Sequence, residues 1–454
     1  MSEKTIAAIA TPAGEASIGV IRNSGDDALL VAAACFKPFS KESLADFSGY
    51  RAAYGNVTEE DGSVIDDAIA LVFRAPHSYT GEDVVEISVH GGRIVLRRVL
   101  RRVLSCGATA AAAGEFTKRA FLNGKLDLAK AESVMELISA KSEAALKISR
   151  SARDGAVSRG VADITDRLLE TAASLAVFAD YPDEELEGLS HDSFLSLLAD
   201  CREKTSRLLS SYDAGRVVRE GIDCAIVGKP NVGKSSLMNM LCGSERSIVT
   251  DIAGTTRDII ENTVTLGDIT LNLADTAGIR DTADTVERVG VRLASEKIEN
   301  AGLILAVFDA SISLDDDDRK LLGSLKDKRA IAILNKTDLP AVVTAKELFP
   351  LRVVSVSAKS GKGVEELTRE IEALCDIAAL DAGDAVLISE RQYDCARRAL
   401  EAITEAENAL LGGVTLDAVS VCIDDAIAAL LELTGKRVTN EVADEVFKRF
   451  CVGK

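Results

Sequence analysis

Residues 228–236 read Gly-Lys-Pro-Asn-Val-Gly-Lys-Ser-Ser, directly after the apolar run Ile222–Val227. Few strings of this length constrain a local fold so tightly. They fit G-x-x-x-x-G-K-[ST] between a strand and a helix. The glycines let backbone N–H groups curl around phosphates at a helix N-terminus, where negative charge is stabilised. Lys234 is then spaced to reach the β- and γ-phosphates of a nucleotide, and the Ser235 hydroxyl to ligate magnesium. Asn231, Val232, Gly233 and Ser236 complete the cradle. The bland alternative is a tight strand-to-helix turn that holds no ligand.

The residues that follow keep the same grammar. GIDCAIVG, ITLNLAD, LILAVFDA, AIAILNK and RVVSVSA are five apolar strand candidates separated by helix-like stretches, over about 218–379. That alternation reads as a doubly wound α/β sheet, whose ligands gather at the carboxyl ends of the strands. Asp275-Thr276-Ala277-Gly278 follows the second strand; Asp275 would hold magnesium through water and the Gly278 N–H would sense a γ-phosphate. Asn335-Lys336-Thr337-Asp338 ends a later strand. A carboxylate at Asp338 accepts two N–H bonds from guanine, which selects GTP over ATP. Ser357-Ala358-Lys359 ends the last strand and would back the base. Thr250-Asp251-Ile252-Ala253-Gly254-Thr255-Thr256 lies between the first two motifs and looks like a switch loop, with Thr256 as a second magnesium ligand. Together, in this order, these strings resemble the translation-factor-related GTPases, with a Ras-like G domain.

Two details narrow the subclass. Ile279 stands where a Ras-like protein carries its water-orienting Gln, and Asn231 occupies the variable part of the phosphate loop. This combination resembles GTPases that use potassium in place of an arginine finger. Asn231 would supply a side-chain oxygen, and the carbonyls of Thr250, Ile252 and Thr255 the rest of the shell. A monovalent cation between phosphates neutralises developing charge as an arginine would. Glu287 is the candidate for orienting water; it also reads as an ordinary surface charge at a helix start.

The chain has 454 residues, enough for about two to four domains. Residues 1–118 mix short alternating runs, such as SIGVIR, AIALVF and VVEISV, with one clear helix, GGRIVLRRVLRRVLSCG. That helix has apolar residues at 94, 95, 99, 103 and 104 and a Gly stop at 107, so the region reads as α+β. Residues 119–217 and 380–454 are helical in pattern and alike in composition, broken by the acidic loop at 181–188. The economical reading is one discontinuous helical domain with the G domain inserted into it. Aromatics are only 4%, which suits helix-rich packing. No apolar run reaches the ~18 residues that span a bilayer, and the N-terminus lacks a signal-peptide pattern, so a cytoplasmic protein is expected. Nine cysteines contain no C-x-x-C pair, which argues against a zinc site and for small reduced core thiols.

The net charge of -19 is uneven. Residues 1–125 carry 14 Lys/Arg against 15 Asp/Glu. An acidic surface repels a phosphate backbone, so any nucleic acid would be gripped with a basic partner or through Arg97, Arg98, Arg101 and Arg102. Those four read more simply as a solvated helix face.

The flanks carry a family resemblance. His77-Ser78-Tyr79-Thr80-Gly81-Glu82-Asp83, the run Gly114-Glu115-Phe116-Thr117-Lys118-Arg119-Ala120-Phe121-Leu122-Asn123-Gly124-Lys125-Leu126-Asp127-Leu128, and the terminal Phe450-Cys451-Val452-Gly453-Lys454 resemble the MnmE (TrmE) family of tRNA modification GTPases. The resemblance covers the whole chain. It implies a homodimer formed through an N-terminal tetrahydrofolate-binding-like domain. It also implies modification of the wobble uridine of certain tRNAs at carbon 5, with an aminomethyl-type group built from a 5-formyl- or 5,10-methylene-tetrahydrofolate. The implied partner is a flavoprotein, MnmG (GidA), which carries the flavin, completes a heterotetramer and holds most of the tRNA. No membrane is involved. By position, Arg22, Glu82, Lys125 and Lys454 match the family's folate contacts. Cys451 is either a nucleophile, its thiolate favoured by Lys454, or a buried thiol on the last helix face. A ribosome-assembly GTPase of the Era or Der type is the competing reading, although neither a second phosphate loop nor a G-x-x-G clamp is evident. A stand-alone folate enzyme would leave the GTPase motifs unexplained.

Overall fold

The computed structural model describes residues 4–12, 14–180, 190–243, 262–273, 299, 301–375 and 383–454. Their elements are β1 (Ile6–Ile9), β2 (Ile18–Ser24), α1 (Ala28–Cys35), β3 (Phe36–Pro38), β4 (Arg51–Thr58), β5 (Val64–Phe73), β6 (Val84–His90), α2 (Arg93–Ser105), β7 (Thr109–Ala110) and α3 (Glu115–Leu122). Four helices follow: α4 (Leu128–Ser139), α5 (Glu143–Arg153), α6 (Ala156–Asp180) and α7 (His191–Glu220). Then come β8 (Ile222–Val227), α8 (Lys234–Gly243), β9 (Asn262–Leu266), β10 (Ile269–Leu273), β11 (Leu303–Asp309), α9 (Asp316–Ser324), β12 (Ala330–Asn335), β13 (Arg352–Ser355) and α10 (Val364–Leu374). The chain ends with α11 (Glu390–Leu411), α12 (Leu416–Thr434) and α13 (Asn440–Lys448). The expected acidic loop at 181–188 lies outside the described residues. Contacts divide the chain into two compact units: Met1–Met135 with Val161–Cys201 and Cys395–Lys454, and Glu136–Gly160 with Arg202–Asp394. None of the described helices is long and apolar enough to cross a membrane.

The first unit is built on a seven-stranded sheet in the order β3-β4-β5-β6-β2-β1-β7. All neighbours are antiparallel except β1 and β7. Strict alternation sends Ala68, Ala70 and Val72 of β5, with Val85, Ile87 and Val89 of β6, to one face. There α1 and α2 cover them with Leu29, Val31, Leu96, Val99 and Val103. Each such side chain contributes roughly 1.5–3 kcal/mol when removed from water. The stripe of α2 is shifted from the sequence expectation: Leu96, Val99 and Val103 face the core, while Ile94 is 77% exposed. At 100° per residue Ile94 lies on the side of α2 opposite Leu96, Val99 and Val103, so its apolar character does not bring burial.

On the other sheet face, Phe116 of α3 packs on Ile6 and Ala8 of β1, while the β4–β5 end stays open. Cross-strand register aligns Tyr54, Ile69, Ser88 and Val20 in one row and Ala52, Leu71, Glu86 and Arg22 in the next. Tyr54, Ile69 and Ile18 are each at least half exposed there, and Phe39 meets the Tyr54 ring edge-on at 5.1 Å.

The helical part of this unit follows amphipathic logic. In α11, Ala396, Ala399, Ile403, Ala406 and Leu410 recur on one buried stripe, and α12 matches with Val419, Ile423, Ala426, Leu430 and Leu433. Leu128 and Ala131 of α4 pack with Ala443, Phe447 and Phe450, and Phe121 of α3 joins them. The last four residues are then stitched to the N-terminal part. Ala113 and Val452 form an antiparallel bridge, and the Gly114 N–H donates to Cys451 O at 3.3 Å. Gly453 has φ +94°, and a Cβ there would lie 2.4 Å from Ile9 O. Only glycine accepts both conditions.

The second unit holds a six-stranded sheet, β13-β12-β11-β8-β10-β9, parallel except for β9 against β10. Along β11, Leu303, Leu305 and Val307 enter one core, and Ile304, Ala306 and Phe308 the other. A parallel strand covered on both faces must be apolar throughout, as β11 is. The five strands expected from sequence are all present. The sixth, β9, reads NTVTL, too polar to announce itself, and it is defined by its pairing to β10 across the Gly267-Asp268 turn.

Candidate functional site

The loop between β8 and α8 sits at the carboxyl end of the central strands. Its two glycines are there for space as well as conformation. At Gly228 (φ +146°) a Cβ would meet Val307 O at 2.4 Å, and at Gly233 (φ +99°) it would meet Asn335 Nδ2 at 2.2 Å. Asn231 holds a left-handed backbone at φ +64° with its side chain exposed. The Lys234 ammonium donates to Gly228 O at 2.9 Å and Lys229 O at 2.7 Å, and burial pulls its pKa below the ordinary lysine value. Ser235 and Ser236 are exposed on the first turn of α8.

Asn335, only 2% exposed, joins this loop to the next strand ends. Its Nδ2 donates to Val232 O at 2.9 Å, and its Oδ1 accepts from the Ala358 N–H at 3.1 Å. The Lys336 ammonium donates to Asn231 O at 2.8 Å and pairs with Asp309 at 2.6 Å. Ser357 Oγ donates to the exposed Asp338 carboxylate at 2.7 Å, which lowers its pKa. The result is a glycine-shaped loop at the head of α8 beside the exposed carboxylate of Asp338. On the far side of the loop, Lys229 pairs with Asp315 at 2.6 Å and with the buried Asp318 at 2.7 Å.

A second cluster of charge lies in the first unit. Arg22 and Ser24 alternate onto the face of β2 opposite α1 and α2, and Glu86 stands directly across from Arg22 on β6. The Arg22 guanidinium binds Glu86 at 2.8 Å and donates to Gly453 O at 3.2 Å, lying over Tyr79 and Phe116 at 5.7 and 5.6 Å. Glu82 accepts from Ser24 Oγ at 2.6 Å and from Arg119 at 3.2 Å. Lys125 lies along Gly81 and donates to Pro76 O at 2.9 Å. Lys454 is half-buried, and its pKa is depressed by burial and by Arg22, with Glu86 and Cys451 pulling the other way. Cys451 is exposed.

The sequence as a whole matches known proteins. Residues 128–451 match the family model for the MnmE helical domain, and residues 5–125 that of the GTP-binding protein TrmE N-terminus. The tRNA modification GTPase MnmE of Geobacter sulfurreducens is 43% identical, covering 100% of this chain and 99% of the relative. Those of Symbiobacterium thermophilum and Clostridioides difficile are 42% and 38% identical, each covering all of this chain and 100% and 99% of the relative. The chain belongs to the MnmE family. It is thus a GTPase that takes part in tRNA modification, and the resemblance read from the flanking motifs holds over the full length. The Era- or Der-type reading falls, because the match spans both regions outside the G domain.

Against this family background, the expected residues divide into three groups. Asn231, Val232, Gly233, Lys234, Ser235, Ser236, Asn335, Lys336, Asp338, Ser357, Ala358 and Lys359 lie on one rim of the second unit's sheet or in the loops that rise from it. Arg22 and Lys454 are joined through Gly453, with Glu82 linked to the same strand by Ser24. Thr250, Asp251, Ile252, Ala253, Gly254, Thr255, Thr256, Asp275, Thr276, Ala277, Gly278 and Glu287 lie outside the described residues. One alternative is overturned: Cys451 is not a buried thiol on the last helix, because α13 stops at Lys448 and Cys451 is exposed in the tail that follows. The arginine patch is partly consumed, with Arg98 on Glu59 at 2.6 Å and Arg102 on Thr58 O at 3.0 Å. Sequence reasoning missed Glu86, Arg119 and Ser24 as members of the second cluster. Arg119 lay inside the conspicuous 114–128 run; Glu86 had no signal beyond its position in a strand.

Replacing Asn335 by Ala would leave the Val232 carbonyl and Ala358 N–H unpaired in a buried junction. The expected cost is about 1–3 kcal/mol, read as faster hydrogen exchange in β8 and β12. Exchange matching wild type would mean these bonds add nothing net.

Proposed function

We propose that this chain is a potassium-stimulated GTPase. Acting with an MnmG-type flavoprotein, it adds an aminomethyl-type group to carbon 5 of the wobble uridine of certain tRNAs, using a tetrahydrofolate one-carbon unit. The observation that carries this reading is the seating of the C-terminal tail on the N-terminal domain, with Arg22 bonded to Gly453 O beside Lys454. A GTPase that only switched would have no use for that second charged cluster.

For the nucleotide, Lys234 and the N–H groups of 231–236 bind phosphate, and Asp338 accepts the guanine N–H donors. Lys336 and Ser357-Ala358-Lys359 flank the base; Asp275 would hold magnesium through water, the Gly278 N–H would sense the γ-phosphate, and Thr276, Ala277 and Thr250 to Thr256 would complete the nucleotide contacts. The Ser235 hydroxyl, exposed at the start of α8, suits magnesium, with Thr256 as the second ligand. The exposed, left-handed Asn231 suits a potassium ion, with the carbonyls of Thr250, Ile252 and Thr255. A potassium ion there supplies the charge that other GTPases obtain from an arginine finger. Glu287 orients the water. Domains run 1–118, 119–217, 218–379 and 380–454.

The second cluster fits a folate in chemistry. Arg22, Lys125 and Lys454 are cations for its glutamate tail and carbonyl oxygens. Glu82 and Glu86 are acceptors for ring N–H groups, and Tyr79 and Phe116 form an aromatic flank. Bound there, a tetrahydrofolate derivative supplies the one-carbon unit. Arg22 holds the tail in place, and Lys454, with its lowered pKa, releases a proton more readily than an exposed lysine. We assign the role of nucleophile to exposed Cys451, three residues from Lys454. The uncovered apolar sheet face around Tyr54 and Ile69 supports a homodimer through the N-terminal domain. The protein is placed in the cytoplasm.

Three measurements test these assignments. GTP turnover of the full chain at equal ionic strength should rise at least tenfold in potassium over sodium chloride; equal rates would remove the potassium site. Asp338→Asn exchanges an acceptor for a donor, so GTP affinity should fall at least tenfold, about 1.4 kcal/mol, and xanthosine triphosphate should bind better than GTP. An unchanged preference for GTP would exclude Asp338 from base recognition. Gly453→Ala, by unseating the tail, should weaken 5-formyl-tetrahydrofolate binding while leaving GTP affinity intact. Undiminished folate binding would separate the tail from that ligand.

A further inference from the structure

The N-terminal sheet is covered by two helices that each end in a cysteine. Cys35 is the last residue of α1, and Cys106 caps the end of α2. The two helix ends meet at the same core cluster, so Cys106 packs where Cys35 is buried. Cys35 is fully buried in the core, and Cys106 packs against that same core while keeping part of its surface exposed. Arg102 spans the junction. Its Nη2 donates to Ala34 O and its Nη1 to Ser105 Oγ, both at 3.3 Å, so it is fixed to the residue preceding each cysteine. The Cys35 thiol also has Val31 O and Ala32 O in reach, at 3.5 and 3.4 Å.

We propose that Cys35 and Cys106 form a thiol modification site, at which a small peroxide converts the pair to an intramolecular disulfide. Cys106 is the attacking sulfur and Cys35 the resolving one. Neither the nucleotide site nor the folate reading uses these residues.

The roles follow from access and charge. Cys106 is the sulfur that solvent reaches. The neighbouring Cys35 thiol, then Arg102 and Ser105, favour its thiolate over the opposing effects of burial and Glu60, and its pKa is lowered to about 6. The thiolate is the reactive form. Cys35 is pushed the other way by the neighbouring Cys106 sulfur and by burial, so it keeps its proton. In the first step the Cys106 thiolate attacks a peroxide oxygen and the O–O bond breaks. Hydroxide or alkoxide leaves, and Cys106 becomes a sulfenic acid. In the second, the Cys35 sulfur attacks the Cys106 sulfur. The S–O bond breaks, and the hydroxide departs with the Cys35 proton as water. Two thiols and one peroxide thus give a disulfide, an alcohol or water, and a second water. Cys242 and Cys422, also partly exposed, are held above the ordinary thiol value by burial, so they serve as internal controls.

The test uses the full chain, reduced and then exposed to limiting hydrogen peroxide at neutral pH, with peptide mapping under non-reducing conditions. A cross-linked Cys35–Cys106 peptide is expected before Cys242 or Cys422 is oxidised. Iodoacetamide should label Cys106 at least tenfold faster than Cys422 in the untreated protein. In Cys35→Ala the cross-link should vanish, and dimedone should trap a sulfenic acid on Cys106. Absence of the 35–106 peptide, once exposed Cys451 has been oxidised, would overturn the proposal. So would equal labelling of Cys106 and Cys422. Should Cys35→Ala fail to fold, mapping and labelling of the unmodified chain decide alone.

Discussion

One buried carboxamide organises the nucleotide-binding unit. Asn335 has its amide on Val232 O and its oxygen on the Ala358 N–H, so a single side chain ties the phosphate loop to the loop after the last strand. Gly233 is glycine because that amide occupies the space a Cβ would fill. Lys336 then reaches back to Asn231 O, and Ser357 fixes Asp338. This arrangement requires three strand ends to be level with one another. The parallel register of β8, β11, β12 and β13 makes them so. The sheet is therefore the precondition of the site, and its two apolar faces are the precondition of the sheet.

The first unit solves a different problem. Its antiparallel sheet buries one face under α1 and α2 and leaves the other to Tyr54, Ile69 and the Arg22–Glu86 pair. Charge accumulates where the C-terminal tail arrives, held by backbone pairing to Ala113 and by the close approach of Gly453 to Ile9. Charged groups that would each pass as surface salt bridges become a cluster through this one docking event. Surface pairs contribute little to stability. Arg119, which is almost wholly buried, is held by Glu82, Glu115 and Lys4 O, and it belongs to the architecture.

Much of this was legible in the linear sequence, for identifiable reasons. The phosphate loop, the 335–338 string and the five apolar strands are local patterns, and strand periodicity or glycine geometry acts over a few residues. The family motifs at 77–83, 114–128 and 450–454 were legible as strings. Less legible were features in which two distant segments share one interaction. The strand β9 exists because β10 offers a partner. Ile94 belongs to an apolar helix pattern yet lies on the side of α2 away from the core. Cys451 follows a helix whose last turn ends three residues before it.

The sequence by itself determined the nucleotide-binding grammar, the apolar strands that support it and the family to which the chain belongs. Short-range sterics and hydrophobic periodicity are written residue by residue. Tertiary structure alone decided that Lys454 comes to Arg22, that Glu82 is met by Ser24 and Arg119, and that Cys35 meets Cys106. Each of these pairings joins groups remote in sequence, with no local pattern to mark them. They follow only when burial of the two sheets and the helices around them has fixed where the chain ends and turns.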